Sequence, residues 1–378
     1  MQHESGNEHP APLSAGAQPP AYGPPKTRRS RRKPRRKLLR VVVFSALGAV
    51  LVGGGGLAYL WSHLDGNLKS TDINAALGKD RPGAQHNGSM NILLLGSDSR
   101  AGTHGKYGKG ISGARSDTAM VLHVDKTHEK ASVVSVPRDT MVDRPACAKP
   151  DGGTAPASHR SMFNEAYQAG GPACTVKTVE SMSGLRMDHY LEVDFKGFKK
   201  LIDQLGGVDI TTSKAIKDSN SGLSLTAGKH TLKGNEALEL VRTRHGVGDG
   251  SDLGRIQLQQ AFIKALIHRA ETTDLVGDPA KSYDLADTAT RTVSADSELA
   301  SAGKLLGLAK DLKGISPGHM NMVTMPVTYD AKDPGRVLPL TKADHKVWNA
   351  LRADRPIPKS ATDSSVGDRS ESPVSAGT

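Results

Sequence analysis

The stretch Met90–Gly96, MNILLLG, is a short apolar run that ends in glycine, a pattern typical of a buried strand. Two β-rich stretches follow it, Thr118–Val124 and Ala131–Val136. The polar hexapeptide DKTHEK between them predicts a hairpin or another short connection. These three stretches predict consecutive strands of a β-sheet.

Apolar residues recur with helical spacing in much of the remaining chain. The spacing predicts a strand at Val208–Thr211 after helices over residues 163–169, 172–182 and 195–205. The clearest helix is Arg255–Ala270, whose apolar stripe consists of Leu258, Ala261, Phe262, Ala265 and Leu266. A helix over Glu298–Leu312 and a strand over Met320–Val327 are predicted beyond it. This alternation predicts one α/β domain without a separate second domain.

The net charge of +11 raises the question of nucleic-acid binding, but most of the charge lies in one segment. Lys26–Arg40 contains ten Lys or Arg residues and no acid, which leaves a net charge of about +1 for the rest of the chain. Residues 1–40 are therefore predicted to form a disordered basic cytoplasmic tail that binds anionic lipid headgroups. DNA binding by this tail is the minor alternative, and no nucleic-acid partner is expected.

Residues 41–61, VVVFSALGAVLVGGGGLAYLW, carry no charge. As a helix rising about 1.5 Å per residue, this run spans roughly 30 Å, enough for one membrane crossing. The basic flank before it predicts a single-pass protein of the cell membrane, with the N-terminus cytoplasmic and the C-terminal domain extracytoplasmic. A cleaved signal peptide is the alternative, although no small-x-small cleavage site follows the run. Both interpretations export the rest of the chain.

The two cysteines, Cys147 and Cys174, both lie in the part predicted to be exported. An oxidising environment permits one disulfide bond between them, whereas two free buried thiols are the less favoured alternative.

Four clusters place arginine and aspartate at the ends of apolar elements, where sites of α/β proteins are built. They are GSDSR (96–100), RSDT (115–118), PRDT (137–140) and VRTRHGVGDGSDLGRIQLQQ (241–260). Arginine offers bidentate, permanently charged hydrogen bonds to a diphosphate, and paired aspartates offer hard oxygens to Mg²⁺. Surface ion pairs explain any single cluster equally well, but the clusters together predict a metal–diphosphate site.

The last cluster has two geometric features that favour a ligand site. Arg242 and Arg244 are two residues apart, so an extended segment directs both side chains to the same side. Arg255 and Gln259 are i and i+4 on the predicted helix, at the margin of its apolar stripe. Such a helix predicts a pocket wall for an amphiphile with an apolar tail and a phosphate head.

In this order the clusters resemble the LytR-CpsA-Psr family of envelope proteins, over roughly residues 85–275. The matching segments are NILLLGSDSR, RSDTAMVLHVD, SVPRDT, FNEAYQAGG, GLRMDHYLEVDFKGFKKLIDQLGGVDI and the arginine and glutamine block. The short tail and the single membrane helix also resemble that family. Leu258 departs from the pattern, because many members carry arginine before the paired glutamines.

The resemblance implies an αβα sandwich with a mixed central sheet, preceded by one transmembrane helix, that holds a polyprenyl chain in an apolar tunnel. The implied activity is a phosphotransferase that moves a glycopolymer, as glycosyl phosphate, from a polyprenyl-diphosphate carrier onto peptidoglycan outside the membrane. The expected organisation is a linker at 62–84, a catalytic domain at 85–275, residues 276–356 completing the same domain, and a disordered tail at 357–378.

The resemblance also implies site residues. Asp98 and Asp117 correspond to ligands of Mg²⁺, or of Mn²⁺ in its place. The implied diphosphate contacts are Arg115, Arg138, Arg242, Arg244, Arg255 and Gln259, with Arg100 and Asp252 as further candidates. Asp139 is expected to orient Arg138. The general base is not identified by the pattern: His189 and His245 are candidates, but a lone histidine beside an acid is more often structural.

Three other functions compete with the transferase. A transcriptional regulator or attenuator requires nucleic-acid contact in the cytoplasm, where only the basic tail is predicted to lie. A hydrolase that cleaves the same carrier diphosphate needs an identical phosphate site, and a non-catalytic binding module is the third alternative.

Overall fold

A computed structural model of the chain describes residue 56 and residues 58–97, 116–248, 250–273, 278–368 and 372–377. Most of the predicted membrane helix, residues 41–61, lies outside these residues, as do the tail at 1–40 and three predicted site residues, Asp98, Arg100 and Arg115. Among the helices of the described part, none combines the length and the apolar character needed to cross a membrane.

A seven-stranded mixed sheet forms the centre of the fold, with the strand order β1-β14-β9-β2-β3-β4-β15. The strands of the chain are β1 Lys69–Thr71, β2 Met90–Ser97, β3 Ser116–Val124, β4 Ala131–Ser135, β5 Met141–Arg144, β6 Cys147–Ala148, β7 Thr154–Ala155, β8 Ser158–Met162, β9 His189–Asp194, β10 Val208–Thr212, β11 Ile216–Asp218, β12 Leu223–Leu225, β13 Gly228–Leu232, β14 Val293–Asp296, β15 Met320–Thr324, β16 Val327–Asp330, β17 Asp333–Pro339 and β18 Val374–Ala376. The predicted hairpin is confirmed, because β3 pairs antiparallel with β4. Strand β2 pairs antiparallel with β3 and parallel with β9, which makes the sheet mixed.

The helices of the described part pack on both faces of this sheet or in a layer beside it. They are α1 Ile73–Leu77, α2 Glu165–Ser183, α3 Phe195–Gln204, α4 Gly234–Arg242, α5 Asp252–Thr272, α6 Pro279–Thr292, α7 Ala302–Leu312 and α8 Thr341–Arg352. Leu93 of β2 packs into a core with α1, α2 and α8, while the adjacent Ile92 packs into a second core with α7. Because side chains alternate along a strand, a strand covered on both faces is apolar throughout, which explains MNILLLG.

A third core lies beside the sheet, around α3, α4, α5 and the small sheet β13-β10-β18. The strand predicted at Val208–Thr211 is therefore correct as a strand, but as β10 it belongs to this small sheet and not to the central one. Helix α5 contributes Leu258 and Phe262 to the third core and Ile263 to the second. This helix thus joins the central sheet to the adjoining layer.

Two segments for which no strand or helix was predicted contain regular elements. The predicted linker at 62–84 contains β1, which pairs with β14, and α1, whose Ile73 is 1% exposed. The predicted disordered tail at 357–378 contains two short 3₁₀ turns and β18, which pairs with β10. The tail predicted to be disordered is thus partly ordered, and the elements of the linker were not predicted. Elements of three to five residues carry too few apolar positions to show a period.

Smaller differences concern element boundaries. The helices predicted at 163–169 and 172–182 form one helix, α2, with a kink at Gly170 and Gly171. The helix predicted over 298–312 is shorter, since Ser297–Leu299 forms a 3₁₀ turn and α7 begins at Ala302. The strand predicted over 320–327 divides into β15 and β16.

Candidate active site

The predicted arginines and aspartates that the structure describes meet at one end of the strands β3 and β4 of the central sheet. Asp117 lies at the start of β3, and Arg138 follows the end of β4. Since these strands are antiparallel, the start of one is beside the end of the other. Arg138 Nη1 donates a 2.5 Å hydrogen bond to Asp117 Oδ1, so the RSDT and PRDT clusters are in direct contact.

Helix α5 brings the last cluster to the same place. Ser251 caps its N-terminus, since its side chain accepts a hydrogen bond from the backbone N–H of Leu253. Asp252 and Arg255 occupy the first turn, and Arg255 Nη2 donates a 2.7 Å hydrogen bond to the backbone oxygen of Asp117. The first turn of α5 is thereby attached to the start of β3, within the site.

Asp252 is the centre of an ion-pair network. Its Oδ1 pairs with Arg255, with Arg244 Nη2 at 3.4 Å and with Arg138 Nε at 3.7 Å. The side chain is 7% exposed. Asp252 was predicted as a diphosphate contact; in the structure it does not line the basic cavity that these three arginines share, and its negative charge holds them together.

The charge environment of the two central arginines differs. Burial alone lowers the pKa of Arg138, but the carboxylates of Asp252, Asp139 and Asp117 outweigh burial and raise it. Asp139 Oδ2 lies 3.6 Å from Arg138 Nε, which fits the predicted orienting role. Burial dominates at Arg255, whose pKa is lowered; its side chain is 4% exposed, and its Nε has no hydrogen-bond partner within the described part of the chain.

Arg242 and Arg244 reach the site from the end of α4. The predicted extended segment is not formed at Arg242, because Val241 and Arg242 belong to the last turn of the helix and the extended chain begins at Thr243. Arg242 stacks its guanidinium over the ring of Phe195, 5.3 Å from the centroid. Arg244 follows the helix end, so the change from helix to extended chain brings both side chains to one cavity.

Asp218 stabilises this turn, and the sequence patterns did not identify it as a site residue. Its Oδ2 accepts hydrogen bonds from the backbone N–H groups of Arg244 at 2.9 Å and His245 at 3.1 Å. Burial alone raises the pKa of Asp218, but these donors and the backbone N–H of Asn220 outweigh burial and lower it. No local pattern marks this residue, because the chain it binds lies 26 residues further on.

A basic cavity of about 270 Å³ lies between these elements. It is lined by Asp117, Arg138, Asp218, Asn220, Ser221, Arg242, Arg244, His245 and Arg255. Four arginines face two aspartates, so the lining is cationic, and an anion with several oxygens is the ligand that this charge favours.

Gln259 and His189 lie elsewhere than their predicted roles require. Gln259 Nε2 donates to Thr118 Oγ1 at 3.0 Å and to the Val241 oxygen at 2.9 Å, so it fastens α5 to β3 and α4 and does not line the basic cavity. His189 pairs in register with Ile92, five residues before the end of β2, and contacts Asp296 at 3.2 Å. It is therefore at the wrong end of the sheet to act as a base. His245 lines the cavity and stays a candidate.

The residues that could hold a metal ion are only partly described. Asp117 is 18% exposed at its side chain and lies in the basic cavity, where a carboxylate oxygen suits a hard cation. Its predicted partner, Asp98, lies outside the described residues. Within the ranges given above, no group of three or more His, Cys, Asp or Glu side chains could hold a metal ion.

The disulfide predicted between Cys147 and Cys174 is present in the structure, with the Cα atoms 5.3 Å apart. It joins β6 to α2 directly after the kink of that helix. A Cβ atom at Gly170 would lie 2.7 Å from the Ala148 oxygen and 2.8 Å from Cys174 Cβ. Glycine at this position therefore allows the two segments to approach.

Comparisons with known proteins agree with this geometry. The family profile described as "LytR_cpsA_psr family" matches residues 60–353. The chain is 28% identical over 314 residues to the cell wall biosynthesis protein LcpA of Corynebacterium glutamicum, covering 76% of this chain and 59% of that protein. It is 31% identical over 176 residues to the polyisoprenyl-teichoic acid–peptidoglycan teichoic acid transferase TagU of Bacillus cereus, covering 45% of this chain and 51% of that protein. Both alignments thus span less than two thirds of the relatives' own length.

The fold is similar to that of a solved structure, TagV of B. subtilis, with a TM-score of 0.54 and 26% identity. That similarity covers 71% of this chain and 98% of the solved one. The mixed α/β architecture with a central mixed sheet is therefore shared.

Proposed function

The chain belongs to the LytR_cpsA_psr family, and on that premise we propose that it is a glycopolymer–peptidoglycan phosphotransferase with a polyprenyl-diphosphate-linked donor. The observation that carries the proposal is the convergence of Arg138, Arg242, Arg244 and Arg255 on one cavity. The names of its relatives, a cell wall biosynthesis protein and a teichoic acid transferase, support the same class of substrate.

The arginines bind the donor diphosphate and stabilise the charge that develops during transfer. An acceptor hydroxyl of peptidoglycan attacks the phosphorus on the sugar side, and a new P–O bond forms to the acceptor. The bond from that phosphorus to polyprenyl phosphate breaks, polyprenyl phosphate leaves, and the hydroxyl proton passes to a base. Guanidinium groups fixed before the reaction stabilise this charge shift without reorganisation.

The ion-pair network explains how the arginines are fixed. Asp252 pairs with three of them, and Asp117 accepts a hydrogen bond from Arg138. Arg255 is a buried cation whose Nε lacks a hydrogen-bond partner among the described residues. Burial of such a group is costly, and an entering diphosphate oxygen offsets that cost.

The proposal includes Mg²⁺, or Mn²⁺ in its place, held by Asp98 and Asp117. Asp117 supports it, because its carboxylate lies beside the arginines that would hold the diphosphate. When bound, the ion supplies further positive charge to the phosphate oxygens.

The proposal also places the chain in the cell membrane, with the N-terminus cytoplasmic and the catalytic domain outside. The uncharged run at 41–61 and its basic flank support this orientation. The disulfide is consistent with an exported domain, since such bonds persist in oxidising compartments.

The direct test is reconstitution of the full chain in detergent with a labelled carrier-linked glycan. We expect label on peptidoglycan oligomers when these and Mg²⁺ are present. Glycan release that is independent of the acceptor identifies a hydrolase, and carrier binding without turnover identifies a binding module. Either result contradicts the transferase.

A further inference from the structure

A second cavity lies next to the basic cavity. Its volume is about 370 Å³, and its walls are the hairpin β16–β17, the segment Pro137–Asp139 and the start of α5. We call it the hairpin cavity. Arg138 and Arg244 line both cavities, so a molecule in one can meet a molecule in the other at the same guanidinium groups.

The hairpin is firmly attached to the body of the protein. Val327 and Val337 are buried in a small core with Leu253 and Ile256 of α5. The Val337 backbone N–H donates a 3.3 Å hydrogen bond to the Asp139 oxygen. An ion pair between Arg160 and the buried Asp330 joins the hairpin to β8. The wall therefore has a defined position relative to Arg138.

The hairpin cavity is lined by three arginines, Arg138, Arg244 and Arg336, against the carboxylates of Asp139 and Asp252, so its lining keeps a net positive charge that suits a sugar with a carboxylate. Asn164 is 5% exposed, and its Oδ1 has no hydrogen-bond partner in the described ranges. The ring of Tyr329 is 38% exposed, and aromatic faces pack against the C–H groups of sugar rings. Arg336 is 32% exposed; its Nη1 donates to the Gly335 backbone oxygen at 3.0 Å, and its ion pair with Asp333 spans 3.8 Å, beyond hydrogen-bond distance. Its remaining N–H groups are therefore available to a carboxylate.

The geometry of phosphoryl transfer requires that the acceptor and the leaving lipid phosphate contact the phosphorus from opposite sides. The attacking and leaving oxygens lie roughly in line on opposite sides of the phosphorus. The elements α4 and β11 line the basic cavity and do not line the hairpin cavity. Arg138 and Arg244 are common to both cavities, so a donor diphosphate in the basic cavity leaves the hairpin cavity as the approach for the acceptor.

We propose that the hairpin cavity binds the acceptor, a peptidoglycan amino-sugar chain bearing carboxylates, with Arg336 on the carboxylate, Tyr329 against a sugar ring and Asn164 on an amide or hydroxyl. This proposal rests on the proposed function for the role of the acceptor. It adds the residues that select the acceptor, which are distinct from the four arginines that hold the donor.

The test uses the full chain in detergent with a soluble peptidoglycan oligosaccharide and a carrier-linked glycan. Arg336→Gln should raise the KM for the oligosaccharide about tenfold, as expected for one lost charge-assisted contact, while the KM for the donor stays constant. Arg336→Lys should recover part of the loss. Arg291→Gln, an exposed arginine of α6 paired with Asp287, is the matched control.

Binding of the oligosaccharide without donor, measured by calorimetry, separates this proposal from the transferase itself. If the full chain shows no turnover, the transferase proposal fails. If Arg336→Gln then still binds the oligosaccharide more weakly than wild type, the acceptor site is supported. An oligosaccharide with amidated carboxylates should bind wild type and variant equally. An increase in the donor KM instead, or no change in either KM, overturns the proposal.

Discussion

Asp252 shows, at the scale of single residues, how a site for an anion is prepared before the anion arrives. Four arginines in one cavity repel one another, and Arg255 is almost fully buried. One buried carboxylate reduces this repulsion for three of them, yet it does not line the basic cavity, whereas all three arginines do. The site thus stays cationic on the side where substrate binds.

Arg244 is the arginine best suited to test the donor site, because 26% of its side chain is exposed and, among the residues that the structure describes, only its ion pair with Asp252 is lost with it. We expect Arg244→Ala to reduce turnover at least about a hundredfold, as for loss of a transition-state hydrogen-bond donor. The melting temperature should change little. Turnover with the carrier-linked donor is the measurement, and Arg291→Ala is the control; equal turnover of the two variants removes Arg244 from the site.

Asp344 makes stability depend on pH. It is 5% exposed on α8, its Oδ1 lacks a hydrogen-bond partner among the described residues, and burial raises its pKa from 3.8 to about 7. The folded state therefore binds this proton more tightly than the unfolded state. Its contribution to stability is full below about pH 4 and is lost as the pH rises through about 7.

Asp344→Asn should abolish the loss of stability that ionisation of Asp344 causes at high pH. At pH 8 the variant should exceed wild type in free energy of unfolding by about 4 kcal/mol at most, from linkage, and the two should converge near pH 4. Denaturant titrations at both pH values measure the difference. Parallel stability curves for the two proteins would contradict the shifted pKa.

At the scale of elements, short segments are stabilised by their long-range contacts with other elements. The kink at Gly170 and Gly171 lets α2 meet β6, where the disulfide closes a sequence separation of 27. Strand β18, three residues long, completes the small sheet through β10. In both cases a long-range contact stabilises an element too short to be stable alone.

The disulfide should stabilise the domain by about 3 to 4 kcal/mol according to loop-closure entropy for a loop of this size. Reduction should lower the melting temperature, and the double variant Cys147→Ser, Cys174→Ser should lower it equally without reductant. Thiol labelling of the denatured, non-reduced protein is the first measurement. Two reactive thiols would show that no bond forms.

Val374 anchors β18, since it is 4% exposed in the third core. Val374→Ala should lower the free energy of unfolding by about 1 to 2 kcal/mol, the value for two buried methyl groups. Ser375→Ala, exposed on the same strand, serves as the control and should be neutral. Equal stability of the two variants in denaturant titrations would mean that this segment does not dock.

At the scale of the whole molecule, the candidate site lies where two layers meet. Arg138 and Asp117 come from the central sheet, and Arg242 and Arg244 come from the adjoining layer around the third core. Helix α5 packs into three cores and carries Arg255 and Asp252 at its first turn. The position of this one helix therefore sets the distances among all the arginines.

The proposed topology predicts that fusions after residue 70 report an exterior location. A reporter enzyme that works only in the exported compartment should be active there, and one that works only in the cytoplasm should be inactive. Fusions within residues 1–40 should give the reverse pattern. An active cytoplasmic reporter after residue 70 contradicts both the orientation and the extracytoplasmic transferase.

Local pattern in the sequence determined β2, β3, β4 and α5 and the arginine chemistry of the site, because burial on two faces or along one stripe leaves a period within a few residues. It also determined the segregation of basic charge into Lys26–Arg40. Each of these properties is encoded by residues close together in the chain.

Tertiary structure alone decided which of those residues meet. Arg255 reaches Asp117 across 138 residues, and Asp218 reaches Arg244 across 26, contacts that no periodicity records. The same holds for β18 on β10 and for Asp252, whose role depends on arginines from three elements. The hairpin cavity likewise exists only because β16–β17 packs beside Arg138, since the shape of a cavity belongs to the surfaces that enclose it and not to any one segment.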